Sequence, residues 1–351
     1  MSSQESTTAP SENPATTPQS PTETSRFDLA RLRDAGARGA AEGRLRAAGI
    51  VIPFVILFIV LSIASSSFAT KPNLLNILDQ QSAVLIIAAA GTLVLVAGGI
   101  DLSVGAVYAL AGVVAAELAQ HMAPGPAIII GVLCGFVVGV VNGIVATYFR
   151  INALIATLAM SFVISGIASL ITHGNLVVLF NHQGFGKLAR SEFITVKTSI
   201  WIMLIAVIVL GLFLARTTLG RYMYAAGGNA EAARIAGVHV NRTRVVSFML
   251  SGGAAGLAGV IDASRVLSAQ SASGSGDALT FTVLAGIVVG GTSILGGEGA
   301  VWRTVVGVLF IALIGNGYDL LGLNPLYEQI TLGAIMLLAV GIDAWARQRR
   351  V

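Results

Sequence analysis

From Ile50 onward the chain alternates long apolar runs with short polar or glycine-rich breaks. A helix needs ~20 apolar residues to cross the hydrocarbon core of a bilayer. Ten runs have that scale, at about 50–69, 80–99, 103–122, 126–147, 151–172, 198–215, 245–264, 278–296, 301–320 and 326–345. Most are apolar on every face, as helices facing lipid or a bundle core should be. The first reads VIPFVILFIVLSIA and carries Pro53 near its start, where a helix tolerates the missing N–H. The eighth and ninth are the least distinct, because glycine and polar residues crowd between them. The pattern predicts an all-α integral membrane protein of about ten transmembrane helices.

The flanks read differently. Residues 1 to about 25 are rich in Ser, Thr, Pro, Glu and Gln, with Met1 the one large apolar residue. Such a composition cannot repay the entropy of ordering, so this stretch reads as a disordered tail. Arg26, Arg31, Arg33, Arg38, Arg44 and Arg46 then lie ahead of the first run. They read as a topogenic flank that holds the N-terminus inside and touches anionic lipid. The expected organisation is a tail at 1–48, a transmembrane domain at 49–346 and a basic end at 347–351. With ten spans and the N-terminus inside, sixteen Arg fall on the cytoplasmic side. Five basic residues (Lys71, Lys187, Arg190, Lys197 and Arg265) fall outside. The positive-inside rule favours this orientation over its inverse and puts both termini in the cytoplasm.

Composition narrows the class. The chain is 55% hydrophobic and 11% charged, against roughly a quarter charged in soluble domains. Mean hydropathy is +0.83. A water-soluble globule could not hide that much apolar surface. The sequence pI near 9.5 does not imply nucleic acid, because the basic residues form no patch interleaved with aromatics. Cys134 is the single cysteine, which excludes a disulfide framework and any CxxC pair; it reads as packing in an apolar run. No GxxxxGK[ST], HExxH or GxSxG occurs, and His121, His173, His182 and His239 lie in or near different loops. No metal site, bound cofactor or catalytic group is expected in this chain, so it does not read as an enzyme.

Three places carry candidate chemistry. The first is Gly98-Gly99-Ile100-Asp101-Leu102-Ser103-Val104-Gly105. Paired glycines weaken a helix, and a carboxylate at membrane depth usually faces a cavity or a partner. The stretch is therefore either an interrupted helix lining a polar path or a tight cytoplasmic turn in which Asp101 caps the next helix. The second is Gly290-Gly291-Thr292-Ser293-Ile294-Leu295-Gly296-Gly297-Glu298-Gly299, whose glycines permit close helix contact or a turn. Glu298, Trp302 and Arg303 beside it read as an inner boundary with an aromatic anchor. The two stretches resemble one another over 98–107 and 290–301 with a two-residue gap, which suggests an internal repeat with interrupted helices. Asn142, Asn152, Asn175, Gln270, Asn316 and Asp319 also lie in or near spans. Each is either interhelical glue or part of a path for an uncharged polyol. The expected pathway set is Gly98, Gly99, Asp101, Ser103, Asn142, Asn152, Gly290, Thr292, Ser293 and Asn316.

The third place is the cytoplasmic segment 216–244. Asn229 is a good N-cap, and Glu231 lies in the first turn, where the helix dipole favours an acid. The Ala residues propagate helix and Gly237 stops it. A helix of about two turns, roughly 10 Å long, is expected. It either rests on lipid or docks into another protein. Its few large apolar side chains favour docking.

Glu231-Ala232-Ala233 followed by Gly237 resembles the EAA loop of ABC importer permeases. The flanks are similar in more detail to permeases of the ribose/xylose/arabinose/galactose type. The shared patterns are Thr218-Leu-Gly-Arg-Tyr, Ala226-Gly-Gly-Asn229, Gly237-Val-x-Val-Asn241 and the run from Ser251 to Gly259. The stretches 98–105 and 290–297 also look like signatures of that family, and the resemblance covers about residues 50–346. The apolar-Pro ending of the general EAA pattern is missing after Gly237, and the N-terminal tail is longer than such a permease needs. The resemblance implies a bacterial inner-membrane permease subunit for a monosaccharide, a ribose-like pentose first. It implies a second permease subunit and an extracytoplasmic sugar-binding protein. It also implies a separate ATP-binding subunit that uses ATP and Mg and docks on Asn229, Glu231, Ala232, Ala233, Arg234 and Gly237. Two other readings of the residues stay open: a proton-coupled secondary transporter, and a membrane assembly protein that transports nothing.

Overall fold

A computed structural model describes residues 49–149, 151–271 and 275–348. The tail at 1–48 and the last three residues of the basic end lie outside them. Each of the ten apolar runs forms a helix. They are α1 (Gly49–Ala64), then α3 (Ser82–Val96), α4 (Val104–Ala119), α5 (Pro124–Tyr148), α6 (Ala153–Thr172) and α8 (Thr198–Arg216). The last four are α11 (Val240–Val266), α12 (Ser275–Val289), α13 (Val301–Leu320) and α14 (Pro325–Gln348). Between them lie four shorter helices, α2 (Lys71–Gln80), α7 (Gln183–Arg190), α9 (Thr218–Gly228) and α10 (Ala230–Ile235). Four two-residue strands depart from the all-α expectation. β1 (Val177–Val178) pairs antiparallel with β4 (Ser268–Ala269), and β2 (Glu192–Phe193) with β3 (Val196–Lys197).

Length separates the ten helices. By length and composition α5, α6, α8, α11 and α13 can each cross a bilayer, and α2 with α3 has that reach only as a pair, bent by 51° at the break between them. α1, α4 and the apolar parts of α12 and α14 are shorter. α3 shows why apolar length alone does not count spans. All fifteen of its residues are buried inside the protein, so its apolar surface meets other helices.

α5 and α11 share the most extensive helix–helix contact among the described residues, and α5 inverts the soluble-protein pattern. Its glycines at 131, 135, 139 and 143 point inward, while Ile129, Leu133 and Val137 are exposed. A Cβ at Gly139 would stand 2.4 Å from the Phe248 carbonyl oxygen of α11, which only glycine permits. Lipid is as apolar as leucine, so membrane helices gain by bringing small residues together and leaving large ones outside. At the far end of α3, the buried Asp79 accepts from Lys197 Nζ (2.6 Å) and Ser199 Oγ. That ties the α2–α3 elbow to the start of α8.

Candidate functional site

The two glycine-rich stretches are both helix stops of one kind. Gly98 N–H donates to Leu95 O (2.9 Å) and Gly99 N–H to Val94 O (2.9 Å), closing α3. Gly291 N–H donates to Val288 O (2.8 Å) and Thr292 N–H to Ile287 O (3.2 Å), closing α12. Gly98 and Gly291 both have φ 79°, the left-handed conformation that glycine takes at such a stop. The structural equivalence thus pairs Gly98 with Gly291, one residue away from the sequence match of Gly98 with Gly290.

The first turn runs into a buried polar cluster. The Asp101 carboxylate accepts from Ser103 N–H (3.0 Å), Ser103 Oγ (2.6 Å) and Ser251 Oγ of α11 (2.8 Å). The Asn142 amide of α5 donates to Ser103 Oγ (2.6 Å). Asp101 is 5% exposed and Ser103 fully buried, and no basic side chain pairs with Asp101 among the described residues. Three donors stand in for the missing cation, since a carboxylate accepts up to about four hydrogen bonds. Two further bonds fix the turn's place: Leu102 N–H to Thr157 Oγ1 of α6 (3.0 Å) and Gly105 N–H to Thr280 Oγ1 of α12 (3.1 Å).

The other predicted pathway residues separate into three places. Gly98, Gly99 and Asn152 line a cavity of about 820 Å³ with Arg234, Asn241 and Arg244. Asn152 also caps α6 through Leu154 N–H (2.9 Å). Gly290, Thr292 and Ser293 belong to the second turn, where Ser293 Oγ accepts from Leu295 N–H (3.2 Å). Asn316 stands apart in a reciprocal amide pair with Asn73 of α2, 3.0 Å each way. Sequence reasoning passed over Ser251, Thr280 and Asp79. Ser251 had a signal, because it opens the small-residue run quoted above. At the boundary beside turn two, Trp302 is exposed and Arg303 is buried.

The 216–244 segment is built as its residues dictate. The Asn229 side chain accepts from Glu231 N–H (3.1 Å) and Ala232 N–H (3.0 Å), starting α10. Gly237, at φ 86°, ends it with Val238 N–H reaching back to Ala233 O (2.9 Å). Ala233 is buried against Ala226 and Val240. Glu231 and Arg234 pair at 3.2 Å on the exposed face, and Ile235 is 83% exposed. Just ahead of α10, α9 ends between the two turns. A Cβ at Gly227 would lie 1.9 Å from Val96 O and 2.6 Å from Gly297 N. Gly297 N–H donates to Val96 O (2.9 Å), and Tyr224 Oη of α9 donates to Gly299 O (2.8 Å).

A bundle that packs on its glycines and turns its large apolar side chains outward is a multi-pass membrane protein, here with an exposed capped helix at one end. The chain belongs to the family described as branched-chain amino acid transport system / permease component, which matches residues 73–340. The ribose import permease protein of Escherichia coli (strain K12) is 37% identical over 297 residues, 84% of this chain and 92% of that one. The ribose import permease protein of Bacillus subtilis (strain 168) is 37% identical over 304 residues, 86% and 94% of the two chains. The L-arabinose ABC transporter permease protein of Azospirillum brasilense is 35% identical over 332 residues, 94% of this chain and 97% of that one. That last alignment necessarily takes in part of the segment ahead of the first apolar run. No solved structure matches the chain. Among the described residues no group of His, Cys, Asp and Glu could hold a metal ion.

Proposed function

We propose that the chain is the membrane-spanning permease subunit of an ATP-driven importer for a monosaccharide, a ribose-like pentose first. The spans number ten, with both termini in the cytoplasm of a bacterial inner membrane. An extracytoplasmic binding protein delivers the sugar, two permease subunits form the pathway, and a separate ATPase docks on the 229–237 segment. The names of the relatives support the sugar, and the family supports an importer over a proton-coupled transporter or an assembly protein.

The observation that carries the coupling is the position of Gly227. α10 is short, capped at both ends and exposed, so it can be pushed as a rigid body. The helix that supports it abuts both glycine turns backbone to backbone. Motion of a docked ATPase would reach the end of α3 and, through Gly297, the turn that leads into α13, with no flexible side chain between.

The test uses the complete transporter. Glu231→Arg reverses the exposed charge, and Gly237→Val strains the φ 86° stop. Each should lower pentose uptake and sugar-stimulated ATP hydrolysis by about tenfold or more, the scale of one interface hot spot, with the chain still inserted in the membrane. Wild-type uptake in both variants would remove the docking role. Uptake that survives ATP depletion with the proton gradient intact would favour the secondary-transporter reading.

A further inference from the structure

A second cavity, of about 300 Å³, opens at the other end of α11. Asp262, on its wall, lies 22 residues beyond Val240, where α11 begins beside the coupling segment. At 1.5 Å per residue that is about 33 Å, close to the ~30 Å hydrocarbon thickness of a bilayer. The cavity therefore belongs to the side opposite the 229–237 helix. Among its lining residues Gln270 is one of the polar candidates named above, and Tyr108, Asp262 and Ser268 join it here.

The four side chains offer a complementary set. Tyr108 Oη of α4 donates to Asp262 Oδ2 (2.5 Å). Asp262 Oδ1 accepts from the Arg265 guanidinium, Nε at 3.1 Å. The carboxylate is thereby held as an oriented acceptor, and the acid and base nearly cancel, which suits an uncharged solute. Gln270 is exposed and Ser268 half-buried at the rim. An amide and a hydroxyl both donate and accept. The floor is made of Gly112 and Gly259, where α4 and α11 approach so closely that a Cβ at Gly259 would stand 1.9 Å from Tyr108 O. Acceptors, donors and a small apolar floor match the hydroxyl edge and C–H face of one sugar ring. The volume is at the lower end of the ~300–1,000 Å³ of small-molecule pockets.

We infer that Tyr108, Asp262, Ser268 and Gln270 form the permease's own receiving subsite for a neutral monosaccharide on the side where the sugar arrives. The inference rests on the sugar-importer reading and adds to it the residues that first hold the released sugar. What lies below the subsite fits this role. Along α11, Ser251 of the Asp101 cluster lies between Arg244, on the larger cavity, and Asp262, and along α4 Gly105, bonded to Thr280, precedes Tyr108 by three residues.

The chain's single cysteine makes a direct test available. In membrane vesicles carrying the complete transporter, Cys134→Ser removes the native thiol, and Ser268→Cys or Gln270→Cys places one in the cavity. A membrane-impermeant thiol reagent should label both from the side opposite the ATPase. D-ribose or L-arabinose, without ATP, should slow labelling by 1 + [L]/Kd, about threefold at twice the dissociation constant. A merely structural role for these residues would give no protection. Unprotected labelling at both positions, in vesicles whose wild type takes up either pentose, would overturn the subsite and leave the importer standing. If the wild type takes up neither pentose, the pentose reading falls, and a pentose subsite with it. Gln270→Cys, on an exposed side chain, covers the case in which Ser268→Cys disturbs the β1–β4 pair.

Discussion

The turn at 97–103 and the turn at 290–300 start alike and are then anchored to different parts of the molecule. Both follow a helix closed on a left-handed glycine. The first needs seven residues to reach the next helix and the second eleven. Beyond its glycine the first turn is bound through side chains to the bundle. Asp101 takes hydrogen bonds from α11 and the head of α4, and Leu102 and Gly105 donate to α6 and α12. In the second turn the corresponding bonds are local, with Ser293 N–H donating to Glu298 O and Ser293 Oγ accepting from Leu295 N–H. It is tied to neighbouring elements by Gly297 N–H, which donates to Val96 O of α3 (2.9 Å), and by Tyr224 Oη of α9, which donates to Gly299 O. Turn one is therefore held to the core by its own side chains, and turn two meets α3 and the segment that leads to α10 through its backbone. Gly227 stands where they meet.

Filling that meeting point should have the largest effect. Gly227→Ala puts a methyl 1.9 Å from Val96 O, against backbone that cannot swing aside. Overpacking typically costs ~1–3 kcal/mol and occasionally more, and against fixed backbone the upper end is expected, so the variant should lose most of its folded yield and all uptake. Gly228→Ala is the control, since the nearest atom to its Cβ would be Gly297 Cα at 4.0 Å. It should behave as wild type. Equal yields of the two variants, measured by size-exclusion chromatography in detergent, would mean that the turns do not meet through Gly227.

The next effect separates the two turns. Asp101→Leu leaves Ser103 N–H and the Ser103 and Ser251 hydroxyls without their acceptor. Each unmet buried group costs ~1–3 kcal/mol, so a loss of about 3 kcal/mol is expected. Ser293→Ala removes one local bond and should cost ~1 kcal/mol. The check is thermal unfolding of the purified chain. Equal shifts in Tm would erase the contrast between an anchored turn and a locally closed one.

Much of this architecture is legible in the amino-acid pattern, for physical reasons. The ten runs read as helices because a bilayer demands continuous apolar stretches. The cap at Asn229 and the stop at Gly237 could be read because capping is local chemistry over a few residues. Three things could not be read that way. α3 and α4 are apolar all round, and periodicity cannot say whether such a helix faces lipid or protein; the structure buries all of α3. The α5 glycines at four-residue spacing escaped a reading tuned to polarity, because in a membrane the contact face differs from the lipid face in size rather than polarity. The cluster around Asp101 joins residues up to 150 positions apart, which no local pattern connects. For the cavity near Asp262 a signal existed: an acid inside the seventh run, three residues before Arg265. That spacing puts both side chains on one helix face.

The smallest expected effect is the sharpest test of how the two turns differ. Thr292, just past the left-handed glycine of turn two, is 3% exposed, and its hydroxyl has no partner among the described residues. Thr92 of α3 is buried equally well, but its hydroxyl meets Thr304 Oγ1 of α13 at 2.7 Å and donates to Ala88 O. Valine has nearly the shape of threonine, so the two Thr→Val changes remove the same group from paired and unpaired settings. Thr92→Val strands the Thr304 hydroxyl and should lower stability by ~1 kcal/mol. Thr292→Val strands nothing and removes a desolvated hydroxyl, so Tm should hold or rise slightly. A marked fall in Tm for Thr292→Val would show that the hydroxyl is bound in the assembled transporter or by water. Thr292 would then anchor turn two as Asp101 anchors turn one, and the contrast between the turns would narrow.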